Sequence, residues 1–247
     1  MEKILIITGG SKGIGSGAVA AYLKNGYQIY SLARHAEPNG VSGVNQIIVD
    51  LTEDGKAEAA MELIFENLNK HDVAFISLIN NAGMLGQIAH LENIEPESIS
   101  KTVTLNTLVP LLLTRLFIQK TKGWNAQKTI VNVSSGAATK PYTGWTVYCA
   151  TKAALDMMTR TVAAEQEDEV NGVKIIAIYP GVVDTQMQAN IRMSNKEDFK
   201  TIDRFLALKE TGGLATTETV GKQIYAIAND PKIANGSLIH VNDFSIE

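Results

Sequence analysis

Tyr148 and Lys152 stand four residues apart in a stretch with helical patterning, so their side chains share one helix face. A free phenol, with a pKa of about 10, is a poor acid at neutral pH, and a neighbouring ammonium improves it by stabilising the phenolate. The pair therefore suits donation of a proton to an oxygen that gains charge during a reaction. Ser135, thirteen residues earlier, follows an apolar run and would bring a hydroxyl able to hold that same oxygen. Cys149 adjoins Tyr148, but only Lys152 is near enough in sequence to lower its pKa, so its expected role is packing as a small residue.

The second chemical signal lies near the N-terminus, where Thr8-Gly9-Gly10-Ser11-Lys12-Gly13-Ile14-Gly15 separates an apolar run from an amphipathic one. A glycine-rich turn between a strand and a helix lets backbone N–H groups and the positive helix end meet a dinucleotide's pyrophosphate. A side chain on those glycines would block the approach, which makes Gly9, Ser11, Lys12, Gly13, Ile14 and Gly15 candidate cofactor contacts. The same residues spell Gly9-x-Ser11-x-Gly13, the spacing of a hydrolase nucleophile elbow. One strand precedes Ser11 and no upstream oxyanion loop exists, so a triad with His240 would be coincidence.

At the end of the next apolar run a carboxylate would favour a free ribose 2′-OH, and an arginine a 2′-phosphate. Here the residues read Ser31-Leu32-Ala33-Arg34. Arg34, with Lys12, supplies two cations, and NADPH is expected over NADH. Asn106 is a further candidate, because Pro110 four residues on has no N–H to bond the Asn106 carbonyl, which is left to bind something else.

Short β-branched runs alternate with longer amphipathic stretches, the pattern of βαβ units on a parallel sheet. Strands are expected at 3–8, 28–33, 46–50, 75–80, 129–134, 174–179 and 237–241, and helices at 14–25, 55–69, 96–120, 146–167 and 217–228, with a looser helix within 197–209. This is an α/β chain: a Rossmann-like, doubly wound, seven-stranded parallel sheet in three αβα layers, forming a single domain over 1–247. The excursion at 185–214, rich in Met, Asn and charge, is expected to be a substrate lid.

With 22 Lys+Arg against 26 Asp+Glu, a formal charge of −4 and no basic stripe, nucleic-acid binding is not expected. The single cysteine permits no internal disulfide and points to a reducing cytoplasm. No uninterrupted apolar run of about 18 residues occurs and the N-terminus lacks a cleavable signal pattern, so no membrane association is expected. His35, His71, His90 and His240 are scattered, and no metal site is expected.

Taken together in chain order, the glycine turn, Ser135, Tyr148 and Lys152 resemble the short-chain dehydrogenase/reductase family across essentially the whole chain. The resemblance implies a sheet-bracing segment that borders the adenosine ribose at Asn80-Asn81-Ala82-Gly83, and adenine contacts at Asp50 and Leu51. It implies nicotinamide contacts from the segment Pro180-Gly181-Val182-Val183-Asp184-Thr185, and a catalytic Asn106 that holds a water relaying protons towards Lys152. Lys152 would also contact the nicotinamide ribose. Pro141 to Cys149 and Asp184 to Gln188 are similar to the branch that holds sepiapterin reductases and bacterial benzil reductases, which reduce one carbonyl of a vicinal dicarbonyl compound. Trp145, Met187 and Met193 would then wall a conjugated ring, and Asp243, displaced by one inserted residue, would anchor a pterin. The alternatives are a 3-oxoacyl or hydroxysteroid-type reductase, or a non-catalytic NADPH-binding sensor. The apolar positions Leu111, Leu112, Leu113 and Leu116, with Leu155, Met157 and Met158, imply packing between subunits in a homodimer, with a tetramer as the larger assembly.

Overall fold

Ile4, Leu5, Ile6 and Ile7 have no solvent exposure, because strand β1 (Glu2–Thr8) lies at the middle of a sheet covered on both faces. The computed structural model describes residues 1–35 and 42–244; the rest of the expected 1–247 domain lies outside the described residues. After β1 come α1 (Gly13–Lys24), β2 (Gln28–Ala33), β3 (Val44–Ile48), α2 (Lys56–Glu66) and β4 (Val73–Asn80). Then follow α3 (Pro96–Val103), α4 (Val109–Thr121), β5 (Gln127–Val133), α5 (Thr146–Glu165) and β6 (Lys174–Tyr179). The chain finishes with α6 (Gln186–Arg192), α7 (Ile202–Glu210), α8 (Thr217–Asn229) and β7 (Leu238–His240).

The seven strands are all parallel in the order β3-β2-β1-β4-β5-β6-β7. The chain winds one way from β1 and then the other way from β4, so the crevice between the carboxyl ends of β1 and β4 is the switch point where such sheets take ligands. Alternate residues of β1 feed two cores. Ile4 and Ile6 pack with Met61 of α2 and Leu113 and Phe117 of α4, while Leu5 and Ile7 pack with Val19 and Tyr22 of α1 and Val220 and Ile224 of α8. The result is the expected three-layer, doubly wound, Rossmann-like single domain.

Four expectations need correction. Residues 96–120 are not one α-helix: α3 and α4 meet at a wider turn over Thr104–Leu108, in which the Val109 N–H bonds the Thr104 carbonyl five residues back. Pro110 is the cause, since it cannot supply the ordinary fourth-residue N–H. Strand β3 starts and ends two residues earlier than expected, because Asp50 leaves the sheet to accept the Thr52 N–H (2.9 Å) and hydroxyl (2.7 Å) in an Asx turn. Helix α6 was not foreseen; Thr185 starts it by accepting the Gln188 N–H at 3.4 Å, and the looser helix settles as α7. Finally, the apolar face read as intersubunit splits in two. Leu113, Leu116, Leu155 and Met158 point into the protein, whereas Leu111 and Met157, together with Val103 and Leu108, are exposed. The segment Pro96–Thr121 is by length and composition apolar enough to cross a membrane, yet half of it is buried in the protein, as in a core helix.

Candidate active site

The glycine turn takes its shape from backbone conformations with positive φ, at Gly9 (68°) and Gly13 (59°), that residues with a Cβ rarely adopt. Gly15 lies beneath the turn and does not line the cleft; a Cβ there would stand 2.1 Å from the Gly9 carbonyl oxygen, so its role is close packing. No side chain caps α1 and no acidic residue occupies its first turn, which leaves its leading N–H groups available to an anion. Thr8, which sequence reasoning passed over, locks the turn to the neighbouring strand. Its hydroxyl accepts the N–H groups of Asn81 (3.0 Å) and Ala82 (2.9 Å), while the Asn81 amide donates to the carbonyls of Thr8 (2.9 Å) and Gly9 (3.0 Å). A buried polar chain below it runs from Asn80 to Asn132 (2.9 Å) and from Asn132 to Thr159 (2.8 Å).

An open cleft of about 1110 Å³ runs from this turn across the carboxyl ends of the strands. Gly9, Ser11, Lys12, Gly13 and Ile14 line it at one side, with Arg34, Asp50 and Leu51 beyond them. Asn81, Ala82, Gly83, Pro180, Gly181, Val183 and Thr185 line its middle. Among the described residues, neither Lys12 nor Arg34 is in an ion pair. The Thr52 hydrogen bonds hold the Asp50 carboxyl below the usual range, with Arg34 and Lys101 adding to the effect. Open glycines, uncapped N–H groups and two unpaired cations in one elongated cleft fit a dinucleotide with an additional phosphate.

Ser135, Tyr148 and Lys152 converge at the inner end of the cleft. Ser135 follows β5, its hydroxyl accepting the Ala137 N–H at 3.1 Å, and Tyr148 and Lys152 come from the first two turns of α5. Burial pushes the Tyr148 phenol up to about 12, against hydrogen bonding from the Ser135 hydroxyl that pulls it down. The expected relief of that phenol by Lys152 is therefore not what dominates here. The Lys152 ammonium is anchored on the Val133 carbonyl at 2.8 Å and lies 5.7 Å over the Tyr148 ring centroid, and burial lowers it to about 8.

Asn106 is brought to the site but does not line the cleft. Its side chain is committed: Oδ1 accepts the Met84 N–H at 2.9 Å, and Nδ2 donates to the Met84 carbonyl (2.8 Å) and to Thr151 Oγ1 (3.2 Å). Gly83 fills the space between, since a Cβ there would lie 3.2 Å from Asn106 Oδ1 and 3.7 Å from Lys152 Nζ. Its main-chain carbonyl cannot receive the ordinary fourth-residue N–H, because residue 110 is proline.

Trp145 lines the cleft but is only 6% exposed; it stacks on Phe199 with centroids 4.6 Å apart and meets Tyr148 edge-on at 5.7 Å. Two residues of the 185–214 segment not identified from sequence support it: Phe205 lines the cleft beside Trp145, and Phe199 is fully buried behind it. Met187 lines the cleft, and Asp243 lies on its edge after β7. Met193 does not take part, being 74% exposed and away from the cleft. Burial pushes the Cys149 thiol up, and its sulfur lies 3.8 Å from the Lys140 carbonyl, in keeping with packing. Sequence reasoning also missed Asp156, to which Ser134 and Tyr179 donate; a Tyr148, Lys152, Asp156 run at four-residue spacing was the available signal.

A family model described as short chain dehydrogenase matches residues 3–196. The benzil reductase ((S)-benzoin forming) of Bacillus subtilis (strain 168) is 36% identical over 242 residues, covering 98% of this chain and 99% of that protein. Bovine (Bos taurus) sepiapterin reductase is 31% identical over 172 residues, covering 68% of this chain and 62% of its own length. Among solved structures, ElxO with NADP bound superposes with a TM-score of 0.80 at 25% identity, covering 98% of this chain and 97% of that one.

Proposed function

The chain belongs to the short chain dehydrogenase family, oxidoreductases that use a nicotinamide cofactor, and from that membership we propose that it is an NADPH-dependent carbonyl reductase acting on one carbonyl of a vicinal dicarbonyl compound, benzil-like or sepiapterin-like. The observation that carries the reading is the meeting of Ser135, Tyr148 and Lys152 at the inner end of the same cleft that the glycine turn opens. Bound NADPH supplies the hydride. The glycine turn and the leading N–H groups of α1 hold the pyrophosphate, while Asp50 and Leu51 flank the adenine and Asn81, Ala82 and Gly83 border its ribose. Lys12 and Arg34 take the 2′-phosphate. Pro180, Gly181, Val183 and Thr185 hold the nicotinamide carboxamide.

Ser135 fixes the carbonyl oxygen and Tyr148 gives it a proton as negative charge develops there. Lys152 stabilises the phenolate left behind and contacts the nicotinamide ribose. The Asn106 carbonyl holds a water that returns protons towards Lys152. The vicinal dicarbonyl part of the reading is supported by the likeness to benzil reductase and by Trp145 and Phe205, which line the cleft with Phe199 packed behind Trp145 and suit a flat conjugated ring. Met187 adds an adaptable apolar contact, and Asp243, at the cleft's edge, would accept hydrogen bonds from a pterin's amino groups. Residues 185–214 serve as the lid, tied down where Lys209 pairs with Asp184 at 2.7 Å.

The test is NADPH and NADH oxidation by wild type and Arg34→Glu with benzil, an aliphatic 1,2-diketone, sepiapterin, an acetoacetyl thioester and a steroid ketone. Benzil or sepiapterin should turn over with NADPH and barely with NADH, and Arg34→Glu should raise KM for NADPH by about tenfold or more while NADH changes little. Preference for the thioester or steroid would replace the substrate class, equal losses with both cofactors would remove the 2′-phosphate role, and tight NADPH binding without any turnover would favour a sensor. We place the enzyme in the cytoplasm and assign it a homodimer, for which Val103, Leu108, Leu111 and Met157 are the exposed apolar residues on the segments concerned. Light scattering at micromolar concentration should give twice the chain mass, and a monomer would remove that assignment.

A further inference from the structure

Asp156 lies one turn beyond Lys152 on α5 and two turns beyond Tyr148. It is 7% exposed, and among the described residues it is the one buried acidic side chain. Its Oδ1 accepts the Ser134 hydroxyl at 2.6 Å, and its Oδ2 accepts the Tyr179 hydroxyl in a short bond. Ser134 Oγ also stands 3.5 Å from the Lys152 carbonyl oxygen. Both donors sit at strand ends that enter the cleft, Ser134 immediately before Ser135 and Tyr179 immediately before Pro180. Among the described residues the carboxylate thus has two hydroxyl partners and no cation in ion-pair contact, an arrangement that leaves a buried charge incompletely compensated. The buried cation on its own helix face, four residues back, is Lys152.

We propose that Asp156 is a positioning residue for the reaction: its carboxylate keeps the buried Lys152 charged, and its two hydroxyl bonds fix the ends of β5 and β6 against α5. The inference rests on the reductase reading for what a charged Lys152 is good for, but not for the charge itself. Burial draws Lys152 down, and the negative charge of Asp156 opposes that fall. The other titratable groups around the pair are Tyr148 and Arg160 on α5, Tyr179 on β6 and His240, whose ring meets that of Tyr179 edge-on at 6.3 Å. Burial and Asp156 hold the Tyr179 phenol protonated, and Arg160 opposes them weakly. The sign follows: a lysine stabilised by a carboxylate loses its proton at lower pH once that carboxylate is neutral.

The experiment follows the Cε resonance of Lys152 through a pH titration of the full-length protein, assigned by its loss in Lys152→Arg, alongside the pH profile of kcat/KM. In Asp156→Asn, which keeps the side-chain shape and an acceptor for Ser134, the Lys152 midpoint should fall by about one unit, and the high-pH limb of kcat/KM should move down with it. Tyr179→Phe removes one hydroxyl from the carboxylate without neutralising it and leaves its charge less shared, so the Lys152 midpoint should rise. An unchanged midpoint in Asp156→Asn, or one that fails to rise in Tyr179→Phe, overturns the proposal. The second variant decides the matter if the first does not fold. A shifted midpoint in a protein that reduces none of the carbonyls upholds the role of Asp156 and sinks the reductase reading instead.

Discussion

Tyr148→Phe should bind NADPH with nearly wild-type affinity and lose turnover by roughly 10²- to 10⁴-fold, the usual contribution of a positioned general acid. The phenol oxygen is the one atom removed. The ring, which meets Trp145 edge-on and lies under the Lys152 ammonium, stays in place. Because burial holds the phenol at about 12, the wild-type acid is fully protonated throughout the neutral range. Its reduction rate should therefore be flat there and decline as Lys152 loses its proton near 8, since an uncharged amine no longer stabilises the phenolate. Fluorescence titration with NADPH beside steady-state rates separates binding from proton donation. Full activity in the phenylalanine variant would remove Tyr148 from the chemistry.

Gly221→Ala should destabilise the fold by about 3 kcal/mol, a melting temperature lower by roughly 6–12 °C for a domain of this size. The change would ordinarily help, because alanine in a helix interior gains about 1 kcal/mol over glycine. At this position a Cβ would lie 2.1 Å from both the carbonyl carbon and oxygen of Gly17, and a Cβ on Gly17 would lie 1.9 Å from the Thr217 carbonyl oxygen. These are backbone atoms, so no rotamer change relieves the overlap and α8 must move off α1. The displacement would reach the glycine turn that α1 follows, and NADPH affinity should fall together with stability. Gly136→Ala is the control, since its added methyl meets nothing within 4 Å and its φ is not positive. Thermal melts of the two variants should differ widely, and equal melting temperatures would show that the α1–α8 contact is not as tight as described.

Both predictions touch different limits of what can be read along the chain. The alternation of apolar runs was enough to place β6 at its observed bounds, Lys174–Tyr179, and to foresee the sheet class, because strands buried on both faces show as continuous hydrophobic stretches. The glycine turn and the Tyr148–Lys152 pair were legible for a similar reason. Their chemistry depends on neighbours within a few residues, where helix and turn geometry are nearly invariant. Met193 was misread because proximity in sequence to Met187 does not show that α6 ends before it and leaves it exposed, away from the cleft.

From the sequence alone came the α/β class, the glycine-rich turn, the candidate acid with its lysine, and the two cations proposed for a 2′-phosphate. Tertiary structure alone decided that Thr8 ties the turn to Asn81, that Phe199 and Phe205 stand against Trp145, that Gly17 meets Gly221, and that Asp156 collects hydroxyls from Ser134 and Tyr179. Each of these joins segments distant in sequence that the fold brings together. Local periodicity fixes the face a residue presents, whereas the partner on that face is set by register and docking, which have no signature along the chain.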